Sequence, residues 1–404
     1  MRSSETEALS GIKVLDLCRV VSGPFATMQL GDLGADVVKV EDPRSGDESR
    51  RYGPPFINGE SAYFLSVNRN KRSCTIDLKS PAGRDVVLAL AGVADVVIDN
   101  FRPGTLDKWG LNDEALSGKN PRLIQCSITG FGRTGPDADR PGYDLVIQGE
   151  SGVMDITGDP DGPPMKVGTS IADLVTGLYA SQSVLAALMR RERTGTGGRV
   201  DVSMLDAMAS LLTFNAGMYF ASGESPKRRG NVHPTISPYE TFEASDGWIN
   251  VGVANDKFWG LFCDVIDRKD LLADPRFDAA PRRAANRPIL AGLLSPIFAA
   301  RTRADWLKDF RAAGIPAGAI KQVGEVCEAP QLVGRGMVQS VPHRVCGDVR
   351  FIARPIRFED QPPAPSTAPP LLGEHTAEIL AEWLAWDGSE VEKFAGAGAF
   401  GSRT

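Results

Sequence analysis

The stretch IKVLDLCRVVSGPFATMQLGDLGADVVKVE, residues 12–41, decides the fold. It opens on a short apolar run, IKVLDL (12–17), and closes on another, ADVVKVE (35–41), with a helical segment opening at Pro24 between them. Proline suits the first helical position, where its missing N–H costs little. The alternation goes on downstream: ADVVIDN (94–100) and RLIQCSITG (122–130) read as buried strands, and residues 83–91 as a helix. Strand and helix in repetition predict a parallel sheet with helices on both faces. Such a sheet binds ligands beyond the carboxyl ends of its strands, so loops 19–23, 42–47, 100–104 and 130–135 are where a site is expected.

At 404 residues the chain is long for one core, and two domains are the natural reading. After a helix over 171–193 comes RTGTGGRVDVSMLDAMASLL (193–212), a glycine-rich turn, a strand and a helix. The polar, basic ASGESPKRRG (221–230) reads as a linker, and PYETFEASDGWINVGV (238–253) as a hairpin turning at Asp246-Gly247. Mostly helical sequence then runs to GIPAGAIKQ (314–322). QPPAPSTAPP (361–370) reads as a strap over the surface, and a final helix starts near Glu374. The fold class is therefore α/β, divided as a large domain over 1–222, a linker over 223–232, a smaller α+β domain over 233–330, and a strap and C-terminal return over 331–404.

Composition excludes several classes. The chain is 42% hydrophobic and 24% charged, with a net charge of −6, which gives no reason to expect a nucleic-acid partner. Cysteines at 18, 74, 126, 263, 327 and 346 show no paired spacing, which points to reduced thiols in a cytoplasmic protein. The acidic, polar start MRSSETEALS resembles neither a signal nor a transit peptide. The longest apolar run is placed at 86–98, broken by Asp95 and too short for a bilayer, so no membrane is expected. Histidines 233, 343 and 375 are far apart in sequence, so no metal site is expected. The first βα turn lacks G-x-G-x-x-G, no P-loop is present, and GESG (149–152) lacks nucleophile-elbow spacing.

Three stretches carry chemistry. SVNRNKRSCTIDLKSPAG (66–83) gathers Arg69, Lys71, Arg72 and Lys79, either as a solvated charged face or as a phosphate-binding surface. NFRPGTLDKWG (100–110) puts Asn100 and Phe101 at the ligand edge of the sheet, with Arg102 and Lys108 nearby. Together these fit a ligand with an aromatic base and several phosphates. The third, KVGTSIADLVTGLYA (166–180), sets Asp173 in an apolar helix. Ser170 and Asp173 have the spacing of a capping box, which would explain the charge without any chemistry.

Taken in order, these blocks resemble the class III CoA-transferases, typified by formyl-CoA transferase and carnitine CoA-transferase. LSVNRNKRSCTIDLKSPAG, DNFRPGTLDKWGL, CSITGFGRTGP, GYDLVIQGESGVM, GTSIADLVTGLYA and PLLGEHTAEIL extend the likeness over nearly the whole chain. The resemblance implies a Rossmann-like large domain, a smaller domain and an interlocked, ring-like homodimer. It implies Asp173 as nucleophile, and CoA binding by Val20, Val21, Ser22, Arg44, Arg72, Ile76, Lys79, Asn100, Phe101, Lys108, Tyr143 and Asp144. The CoA thioester is a substrate and no cofactor is expected. Asp173 would attack the donor thioester to give a mixed anhydride, take CoA back as an aspartyl thioester, and pass it to the acceptor acid.

A racemase of the same family is the rival reading, together with CoA transfer within one dicarboxylic acid. The racemases resembled carry a histidine and a glutamate where this chain has Tyr143 and Asn255. Loss of both removes the acid–base pair that α-proton transfer requires. The blocks look nearest to the succinyl-CoA:glutarate branch, which suggests dicarboxylate substrates. Arg19, Arg69, Asn231 and His233 are the candidates to hold a distal carboxylate, with His233 equally readable as a structural histidine.

Overall fold

The computed structural model describes residues 7–359 and 366–401. Its chain divides into two compact units: one of residues up to Met154, Lys166–Glu224 and those from Gly334 on, the other of Asp155–Met165 and Ser225–Val333.

The first unit is built on six parallel strands in the order Lys71–Thr75, Asp36–Glu41, Lys13–Asp16, Val96–Asp99, Ile124–Thr129 and Gly198–Ser203. Val14 pairs with Val37 on one side and Val96 on the other. Strand order thus reverses between Lys13–Asp16 and Val96–Asp99, which opens a crevice at their carboxyl ends. Side chains alternate across the sheet. Val14, Val37, Val96 and Ile98 pack beneath the helices Ser22–Asp32 and Ile171–Thr194. Leu15, Val38 and Val97 face the helices Pro81–Val93 and Thr376–Leu384 instead.

The strand Lys71–Thr75 lies inside the stretch read as a basic cluster. It carries buried Lys71 and Ser73 where a sheet strand usually shows apolar alternation. Its outer edge is closed by the far end of the chain: the amide of His375 donates to the Ser73 carbonyl (3.0 Å), and the Thr75 amide to Thr376 Oγ1 (3.1 Å). Capping of this kind removes an edge open to pairing with other chains. Of the proline-rich strap, residues 361–365 lie outside the described residues. Thr367, just beyond, exchanges hydrogen bonds with Asn70.

Ile171–Thr194 is long and apolar enough, by length and composition, to cross a membrane. That corrects the expectation that no run reaches such a length. In the fold this helix is a core element: Ala172, Ala180, Val184 and Leu188 are buried on the sheet, and buried Arg191 pairs with Asp95 (2.9 Å). The end of the chain holds two helices, Thr376–Leu384 and Gly388–Gly396, where a single one was expected.

The second unit has an antiparallel sheet, Tyr239–Ala244, Gly247–Gly252 and Ala317–Ala319, turning at Asp246-Gly247. Helices Asp256–Val265, Arg287–Ala299 and Arg303–Ala312 bury Phe242, Phe262, Phe298, Trp306 and Phe310 against it. Phe242 stacks on Phe298 with centroids 4.2 Å apart. Asp155–Met165, which the sequence division left in the large domain, belongs to this unit, where the Gly158 carbonyl accepts from the Gly230 amide (3.0 Å).

Candidate active site

The loop from Cys18 to Pro24 leaves the strand Lys13–Asp16 at the crevice and is tied down from neighbouring strands. Asn100 clamps Arg19, accepting from its amide (2.9 Å) and donating to its carbonyl (2.7 Å). Lys39 Nζ donates to the Cys18 carbonyl (2.8 Å) and pairs with Asp47 (2.8 Å), whose carboxylate in turn accepts from the amide of Val20 (3.1 Å). Val20 sits at φ +68°, a left-handed conformation costly for a β-branched residue and tolerated only when surroundings impose it. Lys71 Nζ joins Asp16 (3.0 Å), the Pro24 carbonyl (2.8 Å) and Asn68 (2.8 Å).

Four buried charges thus alternate in sign beneath the loop, which is how ions in a dry interior are retained. Burial works against the Asp47 carboxylate, yet Lys39 outweighs it and holds its pKa at about 2. Burial lowers Lys71 to about 8 in spite of Asp16.

A cavity of about 320 Å³ adjoins this loop. Phe101 and Ile76 supply apolar wall, and Arg19, Lys79 and Arg51 positive charge. Trp109 meets Phe101 edge to face at 5.1 Å, and the Arg19 guanidinium lies 4.8 Å above the same ring while pairing with Glu48 (3.0 Å). Arg51, from the turn Glu48–Arg51, was not singled out from the sequence, where it is one arginine in a mixed-charge loop.

Asp173 stands in the first turn of Ile171–Thr194. The helix approaches Ser22–Asp32 closely at Gly177, where a Cβ would lie 2.7 Å from the Ser22 carbonyl. That contact brings Asp173 to Ser22, whose hydroxyl hydrogen-bonds its carboxylate. Tyr63 lies beside it and pairs with the Ser170 hydroxyl. Burial first, and then the charge of Asp144, push the Asp173 pKa up to about 7, against the Ser22 hydrogen bond. Tyr63, too, is raised by burial and by Asp173. A lone tyrosine in the short apolar helix Ala62–Val67 gave no signal in the sequence.

The capping box does not form. Ser170 is the N-cap residue, but its side chain makes no cap hydrogen bond. Asp144 caps the helix from outside, its Oδ1 accepting from the Ala172 amide (2.9 Å).

Val20, Val21, Ser22, Arg19, Asn100, Phe101, Ile76 and Lys79 are thus gathered around one loop and cavity. Arg44 is turned outward, its amide held by an Asp42 turn. Lys108 and Tyr143 are exposed. Arg72 and Arg69 lie elsewhere. Arg72 is committed to Asp36, Glu378 and Glu382. Asp36 begins the strand whose far end, Glu41, lines the cavity, some ~16 Å along at the usual rise per residue. Arg69, buried, forms a two-pronged pair with Asp32 (2.9 and 2.5 Å), so its fork is already filled.

In the second unit, His233 Nδ1 accepts from the Thr235 amide (3.2 Å), and its ring meets Tyr239 at 5.3 Å. Asn231 is exposed. Asn255 caps Asp256–Val265 by accepting from the Phe258 amide (2.9 Å).

The site is thus a strand-reversal crevice with a cation-flanked aromatic wall and a half-buried carboxylate nearby. The profile of CoA-transferase family III matches residues 9–376. A succinyl-CoA:glutarate CoA-transferase from Mus musculus is 40% identical over 95% of this chain and 88% of its own. A succinyl-CoA:mesaconate CoA-transferase from Haloarcula hispanica is 40% identical over 93% and 96%. The crystal structure of a CAIB/BAIF family protein from Brucella suis superposes with a TM-score of 0.85, at 44% identity over 93% of this chain and 99% of that one. The chain belongs to CoA-transferase family III, and it is an enzyme of that family.

Proposed function

We propose that this enzyme moves CoA from succinyl-CoA to a dicarboxylic acid through an acyl intermediate on Asp173. The observation that carries the reading is a half-buried carboxylate at a helix start, in contact with the Ser22 hydroxyl and beside the loop that walls the cavity. One Asp173 oxygen attacks the succinyl carbonyl, the C–S bond breaks, and CoA leaves as thiolate. The thiolate attacks the aspartyl carbonyl of the anhydride, releasing succinate and forming the aspartyl–CoA thioester. The acceptor carboxylate displaces the thiolate in the same manner, and CoA then resolves the second anhydride and regenerates Asp173. No net proton or nucleotide is consumed, and CoA enters only as substrate. Ser22 steadies the carboxylate, and the cavity beside Phe101 and Lys79 suits the adenine and phosphates.

Glutarate is the first acceptor to test, followed by mesaconate, since relatives named for each are equally similar. The functional unit is read as a cytoplasmic homodimer. In its support, the helix Thr213–Ser222 buries none of its residues, although Phe214, Tyr219 and Phe220 lie on it. The six free cysteines fit a reducing compartment.

The test is CoA exchange with succinyl-CoA and isotopically labelled glutarate, mesaconate, itaconate, malate and oxalate, read by mass spectrometry. Label should enter one dicarboxyl-CoA with wild type and vanish with Asp173→Ala. Transfer that survives in Asp173→Ala would sink the nucleophile, and no transfer to any dicarboxylate would sink the substrate class.

A further inference from the structure

The first amides of the Ile171–Thr194 helix attract an anion, and any carboxylate that takes them is hydrogen-bonded and so blunted as a nucleophile. The Ile171 amide goes to the Thr169 carbonyl (2.8 Å) and the Leu174 amide to the Ser170 carbonyl (3.1 Å). The Ala172 amide goes to Asp144 Oδ1.

We propose that Asp144, instead of touching CoA, is the positioning residue of the reaction: it occupies the helix start in place of Asp173 and, with Gln148, fixes the turn that carries the nucleophile. This rests on the reading of Asp173 as nucleophile and adds to it the device that keeps it available.

The clamp has two jaws on one short helix, Asp144–Glu150. Gln148, fully buried, donates through Nε2 to Asp144 Oδ2 (2.7 Å) and accepts through Oε1 from the Val167 amide (2.8 Å). Val167 and Ala172 are therefore gripped on either side of the 168–171 turn. The helix itself is anchored to the sheet, because Gly142 packs on Gly130 so tightly that a Cβ at Gly142 would fall 2.6 Å from the Gly130 Cα. A rigid chain of contacts thus runs from the end of Ile124–Thr129 to the first turn of the nucleophile helix.

Asp144 also sets the charge around Asp173. Asp144, from Asp144–Glu150, and the uncharged Ser22, from Ser22–Asp32, act on that carboxylate. Tyr63 faces it from Ala62–Val67, with Tyr52 behind. An anion at 144 makes Asp173 harder to ionise and, once ionised, a stronger nucleophile.

The experiment compares wild type, Asp144→Asn, and Asp144→Asn with Gln148→Glu. Readouts are kcat, KM for succinyl-CoA, the pH profile of kcat/KM, and titration of Asp173 by carboxyl-labelled NMR in the free enzyme, assigned with Asp173→Asn. Asparagine keeps an acceptor for the Ala172 amide but sets two amino groups against each other at Gln148. The single change should lower kcat about tenfold, leave KM within threefold, and move the acid limb and the Asp173 titration to lower pH by at least half a unit. The double change restores a donor and an acceptor to the pair, and should recover kcat to within threefold of wild type. A rise in KM with an unmoved titration would overturn the proposal and make Asp144 a CoA contact. Equal kcat and titration in wild type and the single variant would overturn it outright. The nucleophile reading is tested separately by trapping with hydroxylamine: wild type that turns over without a hydroxamate at Asp173 refutes that reading, while the NMR titration still decides on Asp144.

Discussion

Burial, reinforced by the Asp144 charge, holds Asp173 at a pKa of about 7, against 3.8 for an unperturbed aspartate. The sign of the consequence follows from linkage. The unfolded chain ionises this group near pH 4 and the folded one near pH 7, so its cost to stability is absent below pH 4, grows between the two, and is complete above pH 7. At about 1.4 kcal/mol per unit this cost reaches up to about 4 kcal/mol. Asp173→Asn, which the proposed mechanism makes inactive, should therefore raise the melting temperature at pH 8 and leave it nearly unchanged near pH 4. Thermal denaturation across that range checks it, and equal stability at pH 8 would place the carboxylate in better solvation than its surroundings suggest. At this scale the sequence announced Asp173, because a charge inside an apolar helical run is conspicuous. It could not separate Arg19, which lines the cavity, from Arg69 and Arg72, which fill their forks with Asp32 and with Asp36, Glu378 and Glu382. An arginine's partners come from distant elements and leave no trace in local spacing.

Helix and strand assignments along the sheet follow from apolar runs and hold wherever the strand is buried by aliphatic side chains, as with Val96–Asp99 and Ile124–Thr129. The pattern failed at Lys71–Thr75, whose inward side chains are partners in an ion network. It also failed at the start of Ile171–Thr194, where a plausible intrahelical cap lost to a carboxylate from another helix. At the element scale the close approach of Ile171–Thr194 to Ser22–Asp32 holds the site together. A methyl at Gly177 would lie 2.7 Å from the Ser22 carbonyl and 3.0 Å from the Phe25 ring, so the backbone of the neighbouring helix has to shift. Gly177→Ala should cost about 2 kcal/mol, in the range of overpacked cores, and lower kcat by more than it changes KM, because the shift falls between Ser22 and Asp173. Denaturant unfolding and steady-state kinetics report on the two effects. A variant as stable and active as wild type would mean that the two helices can separate without harm.

For the molecule as a whole, the exposed aromatic residues of Thr213–Ser222 give the proposed homodimer its test. Phe220 is 82% exposed. Phe220→Glu together with Phe214→Glu should leave the secondary structure unchanged by circular dichroism while shifting the particle to half its mass in size-exclusion chromatography with light scattering. A wild type that already runs as a single chain would refute the assembly.

The closure of the Lys71–Thr75 edge by residues 367–376 bears on how the protein is made. Synthesis proceeds from the amino end, so the six strands are all translated, the last ending at Ser203, well before the segment that seals their border leaves the ribosome. For the interval in which roughly 160 further residues are added, at the usual several per second, a nascent sheet waits with one flank unguarded. A message cut short before residue 366 would yield a polypeptide with every strand of the site and a permanently sticky margin, a product for chaperones and proteases to recognise.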